Sequence, residues 1–168
     1  PLKKPANFDS LSAFEKNEFY AKGSVKAVNE QMAATGLGAG NKLTPTPADF
    51  ERQALASDVV SWLRSKPNWD KSIKMDQILT SGAGNCGEMA QVTSYIIKQS
   101  GGEAKIWSTA QEGHVFTVIG GPDSAVERAT VDFAEPEWKD AWIVDPWAGI
   151  TCEAKDYTRM FERRMAQW

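Results

Sequence analysis

Histidine is almost absent from this chain of 168 residues, since His114 is the only one, and cysteine occurs twice, at Cys86 and Cys152. There is no Cys-x-x-Cys pair. A structural zinc site draws on about four Cys or His ligands, and a disulfide framework needs several cysteines, so the sequence argues against both. These shortages favour a reducing compartment and leave open a single Cys86–Cys152 disulfide.

Long apolar runs and an excess of positive charge are also missing. No stretch approaches the roughly 18 apolar residues of a membrane span, and the first residues lack the apolar core of a signal peptide. The net charge is −3, with Lys and Arg scattered, so we expect neither a nucleic-acid nor a membrane partner. We expect a soluble protein, located in the cytoplasm of its producer or, if secreted or injected, of a target cell. Because the chain begins with Pro1 rather than Met, we expect a processed product or a domain of a longer protein.

Apolar spacing predicts helices in the first part of the chain and strands in the second. The length fits a single domain over 1–168, with a helical region (1–80), a core (81–150) and a C-terminal helix (151–168). Three- and four-residue spacing predicts helices over 8–34, 46–66, 73–79, 86–99 and 155–167. Short apolar runs between Gly and Pro turns predict an antiparallel meander of strands over 104–109, 114–119, 125–131 and 141–144. The expected fold class is α+β.

Cys86 takes the first position of a predicted helix, where the helix dipole and unpaired N–H groups lower the pKa of a thiol. Asn85 is the expected cap, and Glu88, three residues after it, completes a capping-box pattern. Gly87 leaves room for an acyl group. The N–H groups of Cys86 and Gly87, with the amide of Asn85 or Gln77, are candidate donors to an oxyanion.

His114 opens a predicted strand, and Asp145 ends another. The chain order Cys86, His114, Asp145 matches a nucleophile, a base and a residue that orients the base. Each residue also has an ordinary structural interpretation: a buried thiol, a hydrogen-bonded histidine and an Asp-Pro turn. The combination, with each residue at the junction its chemistry needs, favours the catalytic interpretation.

Tryptophan is abundant, with seven residues in the chain. Three of them flank the strands that carry His114 and Asp145, and they are candidate walls of a substrate groove, with core packing as the alternative: Trp107, Trp142 and Trp147. Cys152 follows a turn with no helix start, so we expect it to pack in the core.

Four motifs over residues 82–150 resemble the papain-like superfamily in its transglutaminase-like branch: Gly84-Asn85-Cys86, Gly101-Gly102, Gly113-His114 and Val144-Asp145-Pro146-Trp147. The resemblance implies a Cys-bearing helix packed on an antiparallel sheet, with Cys86 as nucleophile, His114 as base, Asp145 as orienter and no metal or organic cofactor. The 31 residues (145−114) between His114 and Asp145 exceed the usual compact hairpin of this branch. We interpret residues 122–139 as an insertion that rims the groove.

The resemblance implies a thiol enzyme that acts on a protein substrate through an acyl-thioester. Glutamine deamidation or transamidation is the expected reaction, and papain-like proteolysis is the alternative. Small domains of this kind with divergent helical additions are similar to bacterial effectors and toxins. A non-catalytic binding or inhibitor module with a structural Cys86 is the alternative from another class.

Overall fold

A four-stranded antiparallel sheet with the strand order β1-β2-β3-β4 lies at the centre of the fold. The computed structural model describes residues 1–66, 70–109, 113–123 and 131–167. The helices in this part of the chain are α1 Ala13–Thr35, α2 Pro47–Arg64, α3 Lys71–Ser81, α4 Cys86–Gln99 and α5 Tyr157–Met165. The strands are β1 Lys105–Thr109, β2 His114–Ile119, β3 Trp142–Asp145 and β4 Ile150–Glu153. The predicted α+β class is confirmed.

Helix boundaries follow local capping chemistry. Ser12 and Glu15 form a reciprocal capping box, so α1 begins at Ala13, later than predicted, after a short 3₁₀ turn over Phe8–Ser10. Thr46 caps α2 through the N–H of Asp49, as its sequence predicted. Across the described residues, we find no helix with both the length and the apolar character needed to cross a membrane.

Three of the four predicted strands are present in the structure, as β1, β2 and β3. The predicted strand over 125–131 falls on residues outside the described part of the chain, apart from Val131, which is not in a strand. Strand β4 was not predicted. It follows a turn in which Gly149 has a φ of 68° and donates its N–H to the carbonyl of Pro146, and Ile150 and Cys152 alternate inward along it.

Each face of the sheet packs against its own helices. On one face Ile119, Trp142 and Val144 pack with residues of α1 and α4, including Tyr20 and Ile97. The other face carries a second apolar cluster that includes residues of the loop before β3 and of α5: Phe116, Val118, Ile143, Phe133, Trp138 and Tyr157. The alternation along each strand therefore puts neighbouring residues into different clusters.

A third apolar cluster joins the four helices of the N-terminal half. Its members include Val28, Leu63, Ile78 and Val92, from α1, α2, α3 and α4, and all four are fully buried. Helix α4 contributes to this cluster and also packs against the sheet through the hydrogen bond from Thr117 Oγ1 to the carbonyl of Ala90 (3.0 Å). The helix that begins at Cys86 is thus held from both sides.

Candidate active site

His114 and Asp145 lie on the same face of the sheet, on adjacent strands. In the antiparallel register of β2 and β3, Thr117 pairs with Val144, so the next residue, Asp145, lies opposite Phe116. Phe116 is two residues from His114, and residues two apart in a strand point to the same face. The Nε2 atom of His114 is 2.6 Å from Oδ2 of Asp145. His114 is 5% exposed and Asp145 is fully buried, so this contact is shielded from water.

Cys86 lies at the first position of α4 and is half-buried. A hydrogen bond with His114 lowers the pKa of the Cys86 thiol, burial opposes this effect, and the N–H groups of Val115 and Gly87 lower the pKa further. Because Nε2 of His114 faces Asp145, Nδ1 is the ring nitrogen left to face the thiol. The three residues form a continuous chain from thiol to imidazole to carboxylate.

The charges in this chain favour a thiolate–imidazolium pair. Burial lowers the pKa of His114, but hydrogen bonds to Asp145 and Cys86 raise it on balance to about 9. The second thiol has the opposite environment, since burial raises the pKa of Cys152 to about 12. Both cysteines are free, so there is no Cys86–Cys152 disulfide, and Cys152 packs in the core as predicted.

Asp145 accepts two further hydrogen bonds that fix its orientation. The hydroxyl of Tyr157 donates to Oδ2 (2.8 Å), and the N–H of Ala148 donates to Oδ1 (3.0 Å). The second bond closes the Asp-Pro turn, so Asp145 both stabilises a turn and orients His114. Tyr157 is a positioning residue that the sequence did not reveal, because only the fold brings the start of α5 beneath β3.

Of the predicted oxyanion donors, Asn85 and Gly87 adjoin the thiol. Oδ1 of Asn85 accepts the N–H of Asn41 (3.0 Å), which orients the amide so that its NH₂ group is left to donate elsewhere. Gly87 faces open space, because a Cβ atom built there meets nothing within 4 Å. Gln77 is half-buried on α3, and within the described residues its amide makes no hydrogen bond to Cys86, Asn85 or Gly87.

The open space beside Gly87 supports a test by substitution. We expect Gly87→Ala to stabilise the fold by about 0.5 kcal/mol, because alanine is the better helix former and has room here. Gly87 directly follows Cys86, so if the thiol is the nucleophile that the sequence predicts, the added methyl group should crowd an incoming acyl group and lower turnover of a peptide substrate about tenfold or more. Thermal unfolding and steady-state kinetics measure the two effects. A variant with unchanged turnover would place the acyl group elsewhere.

Of the three candidate groove tryptophans, two take the alternative of core packing. Trp107 and Trp142 are buried, at 4% and 6% exposure, and pack in the clusters on opposite faces of the sheet. Trp147 is half-buried, and its ring lies 5.0 Å from the ring of His114. Phe161 lies 4.9 Å from the same imidazole, so two aromatic rings restrict the rotation of His114.

The α1–α2 connection over 36–46 forms a wall of the site that the sequence did not reveal. Asn41 links the Gly84-Asn85-Cys86 motif to the Asp-Pro-Trp motif. Its N–H donates to Oδ1 of Asn85, and its own Oδ1 accepts from Nε1 of Trp147 (2.7 Å). Arg52 holds the connection in place by donating to the carbonyl groups of Leu37, Ala39 and Lys42.

This wall is also joined to the turn before Cys86 by backbone hydrogen bonds. The N–H of Gly38 donates to the carbonyl of Gly82 (2.8 Å), and the N–H of Gly84 donates to the carbonyl of Gly38 (3.0 Å). A cavity of about 570 Å³ lies against the wall and is lined by Trp147, Gln167, Arg52 and residues 41–45.

Comparison with protein-family models, with curated proteins and with solved structures found no match to this chain.

Proposed function

We propose that this protein is a thiol enzyme with a papain-like, transglutaminase-like core that attacks a side-chain carboxamide of a protein substrate through an acyl-thioester on Cys86. The observation that carries the proposal is the chain of contacts from a helix-start thiol to His114 and on to Asp145, 2.6 Å from the imidazole. In this assignment Cys86 is the nucleophile, His114 the acid and base, and Asp145 the orienter. No metal or cofactor is needed for these steps.

The first half of the proposed reaction releases ammonia. The Cys86 thiolate forms a bond to the carboxamide carbon of a glutamine side chain, and the carbonyl oxygen takes the negative charge. The N–H groups at the start of α4 and the amide of Asn85 are the donors that face this oxygen. The His114 imidazolium gives its proton to the nitrogen, the C–N bond breaks, and a thioester and a neutral imidazole remain.

The second half resolves the thioester. His114 takes a proton from water or from an amine as its oxygen or nitrogen bonds to the thioester carbon. The C–S bond breaks, and the thiolate–imidazolium pair is restored. Water yields a glutamate side chain, whereas an amine yields an isopeptide bond, so deamidation and transamidation share one intermediate.

Three features support side-chain carboxamide chemistry on a protein. The Gly-x-Cys helix, Gly-His strand and Asp-Pro-Trp motifs resemble the transglutaminase-like branch. The space at Gly87 is open to an incoming chain. The cavity beside Trp147 offers room for residues that flank the target side chain.

A glutamine peptide blocked at both ends, incubated with and without hydroxylamine, tests the proposal. We expect a gain of about 1 Da on glutamine in water alone, a hydroxamate when hydroxylamine is present, and an acyl adduct mapped to Cys86. Cys86→Ala should abolish all three products. Cys152→Ala is the matched control and should keep them.

The other outcomes separate the alternatives. A cut peptide backbone would identify a papain-like protease with the same three residues. A folded protein that forms no adduct, and whose Cys86 reacts as slowly as Cys152 with iodoacetamide, would overturn the proposal in favour of a non-catalytic binding module.

A further inference from the structure

Arg64 and Glu88 form an ion pair directly behind Cys86. Nε of Arg64 lies 2.7 Å from Oε1 of Glu88, and the Arg64 Nη2 atom lies 3.0 Å from Oε2. This two-point contact joins the last residue of α2 to the first turn of α4. The Glu88 side chain is 4% exposed, whereas the Arg64 side chain is 55% exposed.

Glu88 connects this pair to the start of the nucleophile helix. Its Oε2 atom accepts the N–H of Asn85 (3.0 Å), the residue immediately before Cys86. Gly84 approaches Glu88 so closely that a Cβ atom there would lie 2.9 Å from the Cβ of Glu88. The Gly84-Asn85 segment that leads into Cys86 is therefore packed against the side chain of Glu88, whose carboxylate Arg64 holds.

The Glu88 carboxylate is bound to the N–H of Asn85, the residue that precedes the thiol, so its negative charge opposes ionisation of Cys86 unless that charge is balanced. Burial alone would raise the pKa of Glu88, but the hydrogen bonds and charge of Arg64 lower it below its usual range, so Glu88 is ionised. The guanidinium also interacts favourably with the Cys86 thiolate. Arg64 thus compensates an anion that the helix start requires for its geometry.

We infer that Arg64 and Glu88 are positioning residues for the nucleophile: Glu88 fixes the Asn85–Cys86 backbone, and Arg64 supplies the charge that lets Cys86 ionise beside it. The inference rests on the proposed function only in calling Cys86 the nucleophile. Among the described residues, the other charged groups that contacts connect to the thiol are His114, on β2, and Asp145, on β3, which acts through His114. Lys42, in the α1–α2 connection, interacts with Asp145.

The test is the pH profile of iodoacetamide alkylation at Cys86, mapped by mass spectrometry, in variants whose charges change in opposite senses. Arg64→Gln leaves the carboxylate uncompensated, so alkylation at pH 6 should slow by about three- to tenfold and the profile should move to higher pH. Glu88→Gln keeps the shape and an acceptor for Asn85 but removes the anion. Its alkylation at pH 6 should equal or exceed that of the parent.

The double variant Arg64→Gln/Glu88→Gln should return the profile toward that of the parent. The double variant has no unpaired buried charge, so it should fold even if Arg64→Gln does not, and the effect of Arg64 can still be measured. Comparing it with Glu88→Gln isolates the charge of Arg64. Arg159→Gln is the matched control, because its side chain is 56% exposed and also pairs with an acid, Asp156, and it should leave the profile unchanged.

A purely structural pair would slow the reaction in both single variants, whereas the inference requires that Arg64→Gln slows it and Glu88→Gln does not. Superimposed profiles for the parent, Arg64→Gln and Glu88→Gln would overturn the inference. If the parent thiol is activated and these profiles coincide, the pair is irrelevant but the proposed function stands. If the parent thiol is ordinary and the profiles still separate in the expected order, the pair stands and the proposed function falls.

Discussion

Alkylation of Cys86 by iodoacetamide at pH 6 is expected to slow by about 10- to 30-fold when His114 is replaced by alanine. In the parent protein, the hydrogen bond with His114 lowers the pKa of the Cys86 thiol. Without the imidazole, the thiol returns toward a pKa of about 8.5, which leaves roughly 1 thiolate in 300 at pH 6. A more basic thiolate is intrinsically more nucleophilic, so the net loss is smaller than the loss of thiolate.

The shape of the pH profile provides a second check on His114→Ala. In the parent, the rate should rise as the pH passes the lowered pKa of Cys86, and it should change again near pH 9. There the imidazolium loses its proton and the thiolate loses its partner. The variant should show a single transition of an ordinary thiol. An unchanged rate at pH 6, in a variant that still unfolds cooperatively, would contradict the pairing of Cys86 with His114.

Cys152 serves as an internal reference in the same experiment. Burial raises its pKa to about 12, and the residue is 7% exposed. Cys152 should therefore stay unlabelled in the folded parent protein and in folded His114→Ala. Labelling of Cys152 in the variant would show that the substitution opened the fold. This separates loss of the imidazole from loss of structure.

Local signals predicted the elements that carry the three site residues. Thr46-Pro47 marks the start of α2, and Cys86 begins its helix where the Asn85 and Glu88 pattern indicated. His114 begins β2 and Asp145 ends β3. These signals depend on neighbours within a few residues, which is why the sequence carries them. Strand β4 also alternates, but four residues after a turn give a weak pattern.

The parts of the site that the sequence did not reveal depend on contacts between distant residues. Tyr157 reaches Asp145 from α5, Asn41 joins Asn85 to Trp147, and Arg64 reaches Glu88 from α2. None of these side chains has a local pattern that distinguishes it from an ordinary surface or core residue. The same limitation explains why the sequence could not show that Trp107 and Trp142 are buried in the core. A position beside a motif strand does not determine which residues the ring packs against.

The helical region over 1–80 therefore belongs to the candidate site. The α1–α2 connection forms one wall through Asn41, and the last residue of α2 supports the start of α4 through Arg64. The apolar cluster shared by α1, α2, α3 and α4 fixes both contacts relative to the sheet. Substrate preference should accordingly depend on this region as well as on the residues that resemble the transglutaminase-like branch.

Asp145→Asn is expected to lower turnover of the blocked glutamine peptide by about 10³- to 10⁴-fold, because the same substitution in a Ser-His-Asp triad costs about 10⁴-fold. Oδ2 accepts from His114 and Tyr157, and Oδ1 accepts from the N–H of Ala148, so both oxygens are needed as acceptors. An asparagine turns one of these positions into a donor. If its NH₂ group faces Nε2, the imidazole proton moves to Nδ1, and the ring can no longer accept the proton of Cys86.

The matched control for this change is Tyr157→Phe, which removes one donor but keeps the carboxylate. It should cost about 1 kcal/mol of unfolding free energy and less than about tenfold in turnover, because Asp145 still accepts from His114 and Ala148. Asp145→Asn should also weaken alkylation of Cys86 at pH 5 to 6, a measurement that needs no substrate. Parental turnover and a parental low-pH rate in Asp145→Asn would show that Asp145 serves only the Asp-Pro turn. A loss confined to Asp145→Asn would instead mean that the carboxylate holds His114 in the tautomer that accepts the thiol proton.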